Sequence, residues 1–269
     1  MELLMTDTLF SVTDQVVLVS GGSRGIGRAL ARGFAERGAY VWITGRDEAT
    51  LQATASEISV GEHPVRFVVS DVTRAKDCQQ AVEAMTQAHG RIDTLINVAG
   101  INVRKPAVEV TEENYDAILG INLRGAFFMA QAAGREMLKQ KGGSIINIDS
   151  LNSAGPLKNV APYAMSKSGM NGMTRALALE WGPSGVRVNG LAPGFILTDL
   201  TKKLWSDPTM LAWNTANCPM GRLGTPEDLV GTAIFLASPA AGFLTGQTVY
   251  VDGGLISGRA WPIPDGGGQ

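Results

Sequence analysis

The chain is poor in metal ligands and carries almost no charge imbalance. It has two cysteines and two histidines among 269 residues. Cys78, Cys218, His63 and His89 are scattered and stand at no ligand spacing, so no metal site is expected. Isolated cysteines read most simply as reduced thiols in a cytoplasmic protein. A formal net charge of −2 gives no electrostatic reason for nucleic acid or an anionic membrane to be a partner. The first residues, MELLMTDTLFSVTDQ, have neither a basic n-region nor a long apolar run, so neither a signal peptide nor a membrane anchor is expected there. There is no internal repeat, and low complexity is confined to WPIPDGGGQ within a Pro/Gly-rich tail from residue 255, expected on the surface.

What remains is an ordinary globular balance, 45% hydrophobic and 18% charged, on a 28.4 kDa chain. Residues 1–269 are read as one dinucleotide-binding and catalytic domain. QVVLVS at 15–20 is a short β-branched run, GGSRGIG follows, and a helical pattern comes next. Gly21, Gly25 and Gly27, with Ser23, Arg24 and Ile26 between them, fall where a backbone can turn tightly and set a pyrophosphate at a helix N-terminus. A second strand at 40–44 ends in Gly45-Arg46-Asp47, the place where a dinucleotide fold meets the adenosine ribose. Arg46 and Arg24 there favour a 2′-phosphate, hence NADP(H) over NAD(H), whereas Asp47 is the residue that would argue for NAD.

Further strands at 65–69, followed by Asp71-Val72, and at 94–98, followed by Ala99-Gly100, alternate with amphipathic helices. That alternation predicts a parallel sheet wound on both faces, with ligands at its carboxyl edge. A long helical pattern over 112–140 contains Asn122, a polar residue on an apolar face, read either as a satisfied buried amide or as a local kink that holds a water. Residues 185–191 and 247–251 read as later strands and 226–236 as a helix capped by Thr225. Residues 195–218 lack clean periodicity and read as a mobile substrate lid.

The chemistry concentrates in residues 144–181, an isoleucine-rich strand, a short loop and APYAMSKSGMNGMTRALALEW. On a helix Tyr163 and Lys167 lie one turn apart, roughly 5–6 Å between Cβ atoms. An ammonium so placed should lower the phenol from its usual pKa of about 10 and make it usable as an acid–base group. Ser150, closing the strand, is placed to hold a substrate oxygen. Asp149 beside it is an acid with no evident task; strand alternation would point it to the face opposite Ser150.

SGGSRGIG, Asn97-Val98-Ala99-Gly100 and the spacing of Ser150, Tyr163 and Lys167, with Asn122, Asp71-Val72, Pro193-Gly194 and Thr198 in order, resemble the short-chain dehydrogenases/reductases over about residues 10–254. The resemblance implies a single-domain α/β fold of the Rossmann type, a doubly wound parallel sheet of about seven strands in the order 3-2-1-4-5-6-7, with helices on both faces. It implies that Tyr163 exchanges the proton, Lys167 lowers its pKa and binds the nicotinamide ribose, Ser150 holds the substrate oxygen, and Asn122 binds a proton-relay water. Asn97, Ala99 and Gly100 would line the adenosine side, and Pro193, Gly194, Ile196 and Thr198 the nicotinamide. It also implies a homotetramer.

Within the family the chain is most similar to gluconate 5-dehydrogenase-like members, through VRKPAVE, the Tyr163 segment and LASPAAGFLTGQTVYVDGG. A ketone and a secondary alcohol on a sugar acid or polyol would then be interconverted. Arg104 is the candidate for a substrate carboxylate, with Asn152, Trp205, Trp213 and Asn214 as further substrate candidates. The rival activity is reduction of a 3-oxoacyl thioester on an acyl carrier protein, for which Arg135, Lys139 and Lys141 would offer a basic patch. A cofactor-binding sensor or scaffold without turnover is a third reading, opposed by the intact Ser150, Tyr163 and Lys167.

Overall fold

The computed structural model describes residues 8–60 and 63–258. The N-terminal heptapeptide and the tail beyond residue 258, on which two of the expectations above bear, lie outside the described residues. Seven parallel strands form one sheet in the order β3-β2-β1-β4-β5-β6-β7: β1 Val16–Ser20, β2 Tyr40–Gly45, β3 Arg66–Val69, β4 Thr94–Asn97, β5 Gly143–Ile148, β6 Val186–Pro193 and β7 Thr248–Val251. The expected order is the observed one. It reverses direction between β1 and β4, and a crevice at such a switch point is where ligands bind in open α/β sheets.

Period-two alternation supplies both faces of the sheet. Val17 and Val19 of β1, with Ile146 and Ile148 of β5, pack under α1 (Gly25–Ala35), α2 (Glu48–Ile58) and α9 (Val230–Ala237). Val16, Leu18 and Ile145 point the other way, against α3 (Ala75–His89), α5 (Ala126–Gln140) and α6 (Ala161–Trp181). The helices on this second side pack closely because Gly134 of α5 leaves room for Trp181; a Cβ at Gly134 would meet the indole at 2.7 Å.

The long helical pattern over 112–140 is not one regular helix. It is α4 (Glu112–Leu119), a π-helical stretch over Gly120–Gly125, and α5. Asn122 lies in the π stretch, a wide turn found mostly at functional sites. The segment expected to be an irregular lid contains α7 (Lys202–Trp205) and α8 (Pro208–Asn217), the latter started by Asp207, whose carboxylate accepts from the Thr209 and Met210 amides, with Pro208 at its first position. Short helices of mixed polarity carry too little periodicity to be read from sequence. The 226–236 helix is split: a 3₁₀ turn over Pro226–Leu229 precedes α9, and the Asp228 carboxylate, held by Arg222, accepts from the Thr225 amide at 2.7 Å. Among the described residues no helix is long and apolar enough to cross a membrane.

Candidate active site

The glycine loop follows β1 directly. Gly21 adopts φ +84°, a left-handed conformation that favours glycine, and its amide bonds the Thr44 carbonyl at 3.0 Å. A Cβ on Gly27 would meet the Gly21 carbonyl oxygen at 2.1 Å, so only hydrogen lets α1 start this close to the loop. The helix begins without a side-chain cap and with no acid in its first turn. Its N-terminal amides and positive dipole end face the carboxyl edge unneutralised by any carboxylate of its own first turn, which fits a diphosphate. Thr198 stands over the loop, its methyl 3.6 Å from where a Gly25 Cβ would be, so the chain after Pro193 and Gly194 returns to the same crevice with Ile196 buried behind it.

Arg24 and Arg46 are exposed at the ribose end of this crevice. Asp47 is already committed: its carboxylate caps α2, accepting from the Thr50 amide at 2.8 Å and from the Thr50 hydroxyl, and those bonds together with Arg24 hold its pKa below the ordinary carboxylate value. Asp71 is turned into its own loop by the Thr73 amide and hydroxyl, at 3.0 and 2.8 Å. Val72 packs against the π stretch at Gly125.

Two of the residues assigned to ligands have other partners. Asn97 is 3% exposed, and its amide nitrogen bonds Asn147 Oδ1 at 3.0 Å and the Ala126 carbonyl at 3.3 Å. Its side chain ties β4 to β5 and α5. Ala99 and Gly100 remain at the edge, the Ala99 amide bonding the Ser20 carbonyl at 2.9 Å. Asn152 is likewise inward: its amide nitrogen and its backbone amide both donate to Ser150 Oγ at 3.2 Å, and its Oδ1 accepts from the Leu157 amide at 3.0 Å. Two donors on the serine oxygen leave the serine proton free to point outward, so Asn152 positions Ser150.

Asn122 is fully buried and satisfied. Its side chain brackets Ile101, accepting from its amide at 2.8 Å and donating to its carbonyl at 2.9 Å, and reaches Ser166 Oγ on α6 at 3.1 Å. It therefore locks the loop after β4 to the helix that carries Tyr163 and Lys167.

Pro162 in the first turn of α6 sets the helix start, so half-buried Tyr163 lies at the positive end of a 21-residue helix, where a phenolate is favoured. Burial raises the Tyr163 pKa, and the Asp149 charge adds to the rise; the neighbouring Ser150 hydroxyl and the Arg104 charge oppose it. The net direction is upward, the reverse of the lowering expected from a neighbouring ammonium, and desolvation is its largest cause. Lys167 is 4% exposed, and its ammonium donates to the Ile148 carbonyl at 2.6 Å and lies 5.8 Å from the tyrosine ring centre. Burial brings its pKa down to about 8 against the pull of Asp149. Asp149, one residue past the end of β5, is buried, and its charge acts on both Lys167 and Tyr163.

Arg104 is exposed beyond β4, and its charge reaches Tyr163. Trp205 and Trp213 close edge-on around Phe195, at 4.9 and 5.9 Å, forming the small core of the 195–218 segment. Asn214 is 1% exposed, with its amide nitrogen unpaired. Arg135, Lys139 and Lys141 cluster at the end of α5, next to the start of β5 and so at the amino edge of the sheet; Lys139 pairs with Glu136 at 2.7 Å. The carboxyl edge lies a strand length away, roughly 20 Å.

A family profile described as enoyl-(acyl carrier protein) reductase matches residues 21–256. The gluconate 5-dehydrogenase of Gluconobacter oxydans is 38% identical over 247 residues, 92% of this chain and 96% of that protein. A 3-oxoacyl-[acyl-carrier-protein] reductase of Synechocystis is also 38% identical, over 91% of this chain and 98% of its own. Among solved structures, a gluconate 5-dehydrogenase from Burkholderia cenocepacia in complex with NADP and tartrate has a TM-score of 0.90 at 37% identity, covering 93% of this chain and 98% of that one.

Proposed function

Because the chain belongs to the short-chain dehydrogenases/reductases, NAD(P)-dependent oxidoreductases acting on CH–OH groups, we propose that it interconverts a ketone and a secondary alcohol on a sugar acid or polyol, using NADP(H) in preference to NAD(H). The observation that carries this reading is the placement of Tyr163 and Lys167 one turn apart on α6, next to the end of β5 that leads to Ser150, with the Lys167 ammonium held on the Ile148 carbonyl at 2.6 Å. When bound, the nicotinamide supplies or accepts the hydride at its C4. Ser150, held by Asn152, donates to the substrate oxygen, and Tyr163 gives that oxygen a proton in reduction or takes it in oxidation. Lys167 carries the positive charge that the phenolate needs, and Asn122 fixes the loop and helix relative to each other and would place a relay water beside them.

The NADP preference rests on the ribose end: Arg24 and Arg46 are free to meet a 2′-phosphate, while Asp47 is occupied in capping α2. The acid class of substrate rests on Arg104, whose charge is felt at Tyr163. The gluconate 5-dehydrogenase relatives make a sugar acid the first compound to try. Segment 195–218 would cover it, and the working form would be a cytoplasmic homotetramer. The competing reading, an acyl carrier protein reductase, is favoured by the Synechocystis relative. The basic cluster it needs stands at the amino edge, away from the site.

The test is NADPH oxidation by purified protein with 5-ketogluconate against a 3-oxoacyl thioester. Turnover of the keto acid alone supports the reading, whereas turnover of the thioester alone replaces it.

A further inference from the structure

Immediately after the carbonyl that holds Lys167 comes an acid that the proposed chemistry leaves unused. Asp149 is 3% exposed, and neither of its carboxylate oxygens has a hydrogen-bond partner. The polar side chains nearest to it are engaged elsewhere. Ser153 Oγ donates to the Ser150 carbonyl at 2.8 Å and stands 3.3 Å from the Tyr250 hydroxyl, while Asn171 Nδ2 donates to Thr248 Oγ1 at 2.9 Å. From β6 comes only backbone, the Leu191 carbonyl accepting from the Asp149 amide at 2.8 Å. The charged and titratable groups facing the carboxylate are therefore Lys167 and Tyr163 of α6, with Tyr250 of β7 reached through Ser153.

A buried carboxylate without hydrogen bonds is costly, and a buried ammonium resting on one carbonyl is costly too. Each is tolerable only through the other. We propose that Asp149 is the buried counter-charge of Lys167, a positioning residue that keeps the lysine protonated on the Ile148 carbonyl, one turn beneath the Tyr163 hydroxyl. The inference rests on the reading of Tyr163 and Lys167 as the acid–base pair. The directions of titration agree with it. Burial pushes Asp149 up to about 6 while the Lys167 charge first, and then the nearby Ser153, Ser150 amide and Asn171 dipoles, pull it down; burial pulls Lys167 down to about 8 while the Asp149 charge pushes it up. Between those values both groups are charged, and the ammonium available to a phenolate exists because of the acid.

The experiment titrates the lysine directly, without reference to any substrate. In full-length protein labelled with carbon-13 at the lysine side chains, the Lys167 resonance is identified by its loss in Lys167→Met and followed against pH in the parent and in Asp149→Asn. The Lys167 midpoint is expected to fall by about one pH unit in Asp149→Asn, the low end for losing a nearby opposite charge. An unchanged or higher midpoint overturns the proposal. Should Asp149→Asn not fold, the reciprocal measurement decides: in Lys167→Met the Asp149 carboxyl midpoint should rise above its parent value near 6, and an unmoved midpoint overturns it equally. Turnover is scored apart. Full activity in Lys167→Met would sink the acid–base reading while leaving the titrations to judge the ion pair.

Discussion

The two sides of the substrate crevice are built in opposite ways. The β5–α6 side is dry and, Asp149 apart, committed: Ser150, Asn152, Asn122 and Lys167 are all buried, and each has polar atoms engaged by named partners. The 195–218 side is held by three aromatic rings, keeps an unpaired amide nitrogen on Asn214 and an unpaired indole N–H on Trp205, and exposes Leu200, Leu211 and Trp213. Fixed hydrogen bonds place reacting groups to a fraction of an ångström, which chemistry requires. Aromatic packing with spare donors suits a surface that takes its final partners from a ligand. Catalytic rate should therefore be governed by the first side and substrate choice by the second together with Arg104.

The sharpest way to break that comparison is Tyr163→Phe. Loss of the proton donor should lower kcat by about 10³–10⁴-fold, with NADPH affinity, followed by fluorescence, unchanged; turnover near the parental rate would remove Tyr163 from the chemistry. Next comes the buried pair. Asp149 is raised from 3.8 to about 6, so the stability it contributes is present below the lower value and lost as pH rises through the higher. Lys167 is depressed from 10.5 to about 8, so its contribution is present above the higher value and lost as pH falls through the lower. Both losses coincide between about pH 6 and 8. The double variant Asp149→Asn/Lys167→Met should accordingly unfold at higher urea near neutrality, by about 1–4 kcal/mol, while being inactive; a less stable double variant would mean that the pair is held for the fold.

Arg104→Ala should raise KM for a keto acid by about 10–100-fold, the usual worth of a charge-assisted bond, with kcat little changed and a neutral polyol unaffected. An equal loss on the neutral compound would show that Arg104 does not read a carboxylate. Asn152→Ala should cost about tenfold in kcat by releasing the Ser150 hydroxyl, with KM unchanged. The smallest effect belongs to Trp213→Ala, a half-exposed lid residue, expected to shift KM by about twofold and stability by under about 1 kcal/mol.

The one-turn spacing of Tyr163 and Lys167 on α6 and the strand–glycine–helix order were legible because both are local. An i,i+4 pair on a helix and glycines between a strand and a helix mean the same thing wherever they occur. The split of the long helix at Gly120–Gly125 was half legible: Asn122 marked the place, but a π turn and a regular helix share one apolar pattern. The intramolecular partners of the Asn97 and Asn152 side chains could not be read beforehand for one reason. An amide at a strand end or in a loop shows no preference in sequence between a ligand and a neighbouring strand, helix or hydroxyl.

By itself the sequence determined the alternation of strand and helix, the strand order that the resemblance implied, and the types of residue brought to the carboxyl edge, because periodicity and chain connectivity constrain these strongly. Tertiary structure alone decided commitment and the direction of titration: that Asp47 is spent on capping α2, that burial lifts the Tyr163 pKa, and that Asp149 and Lys167 are buried where each charge acts on the other. Those outcomes depend on desolvation and on distances between segments remote in the chain, and neither quantity is written in local spacing.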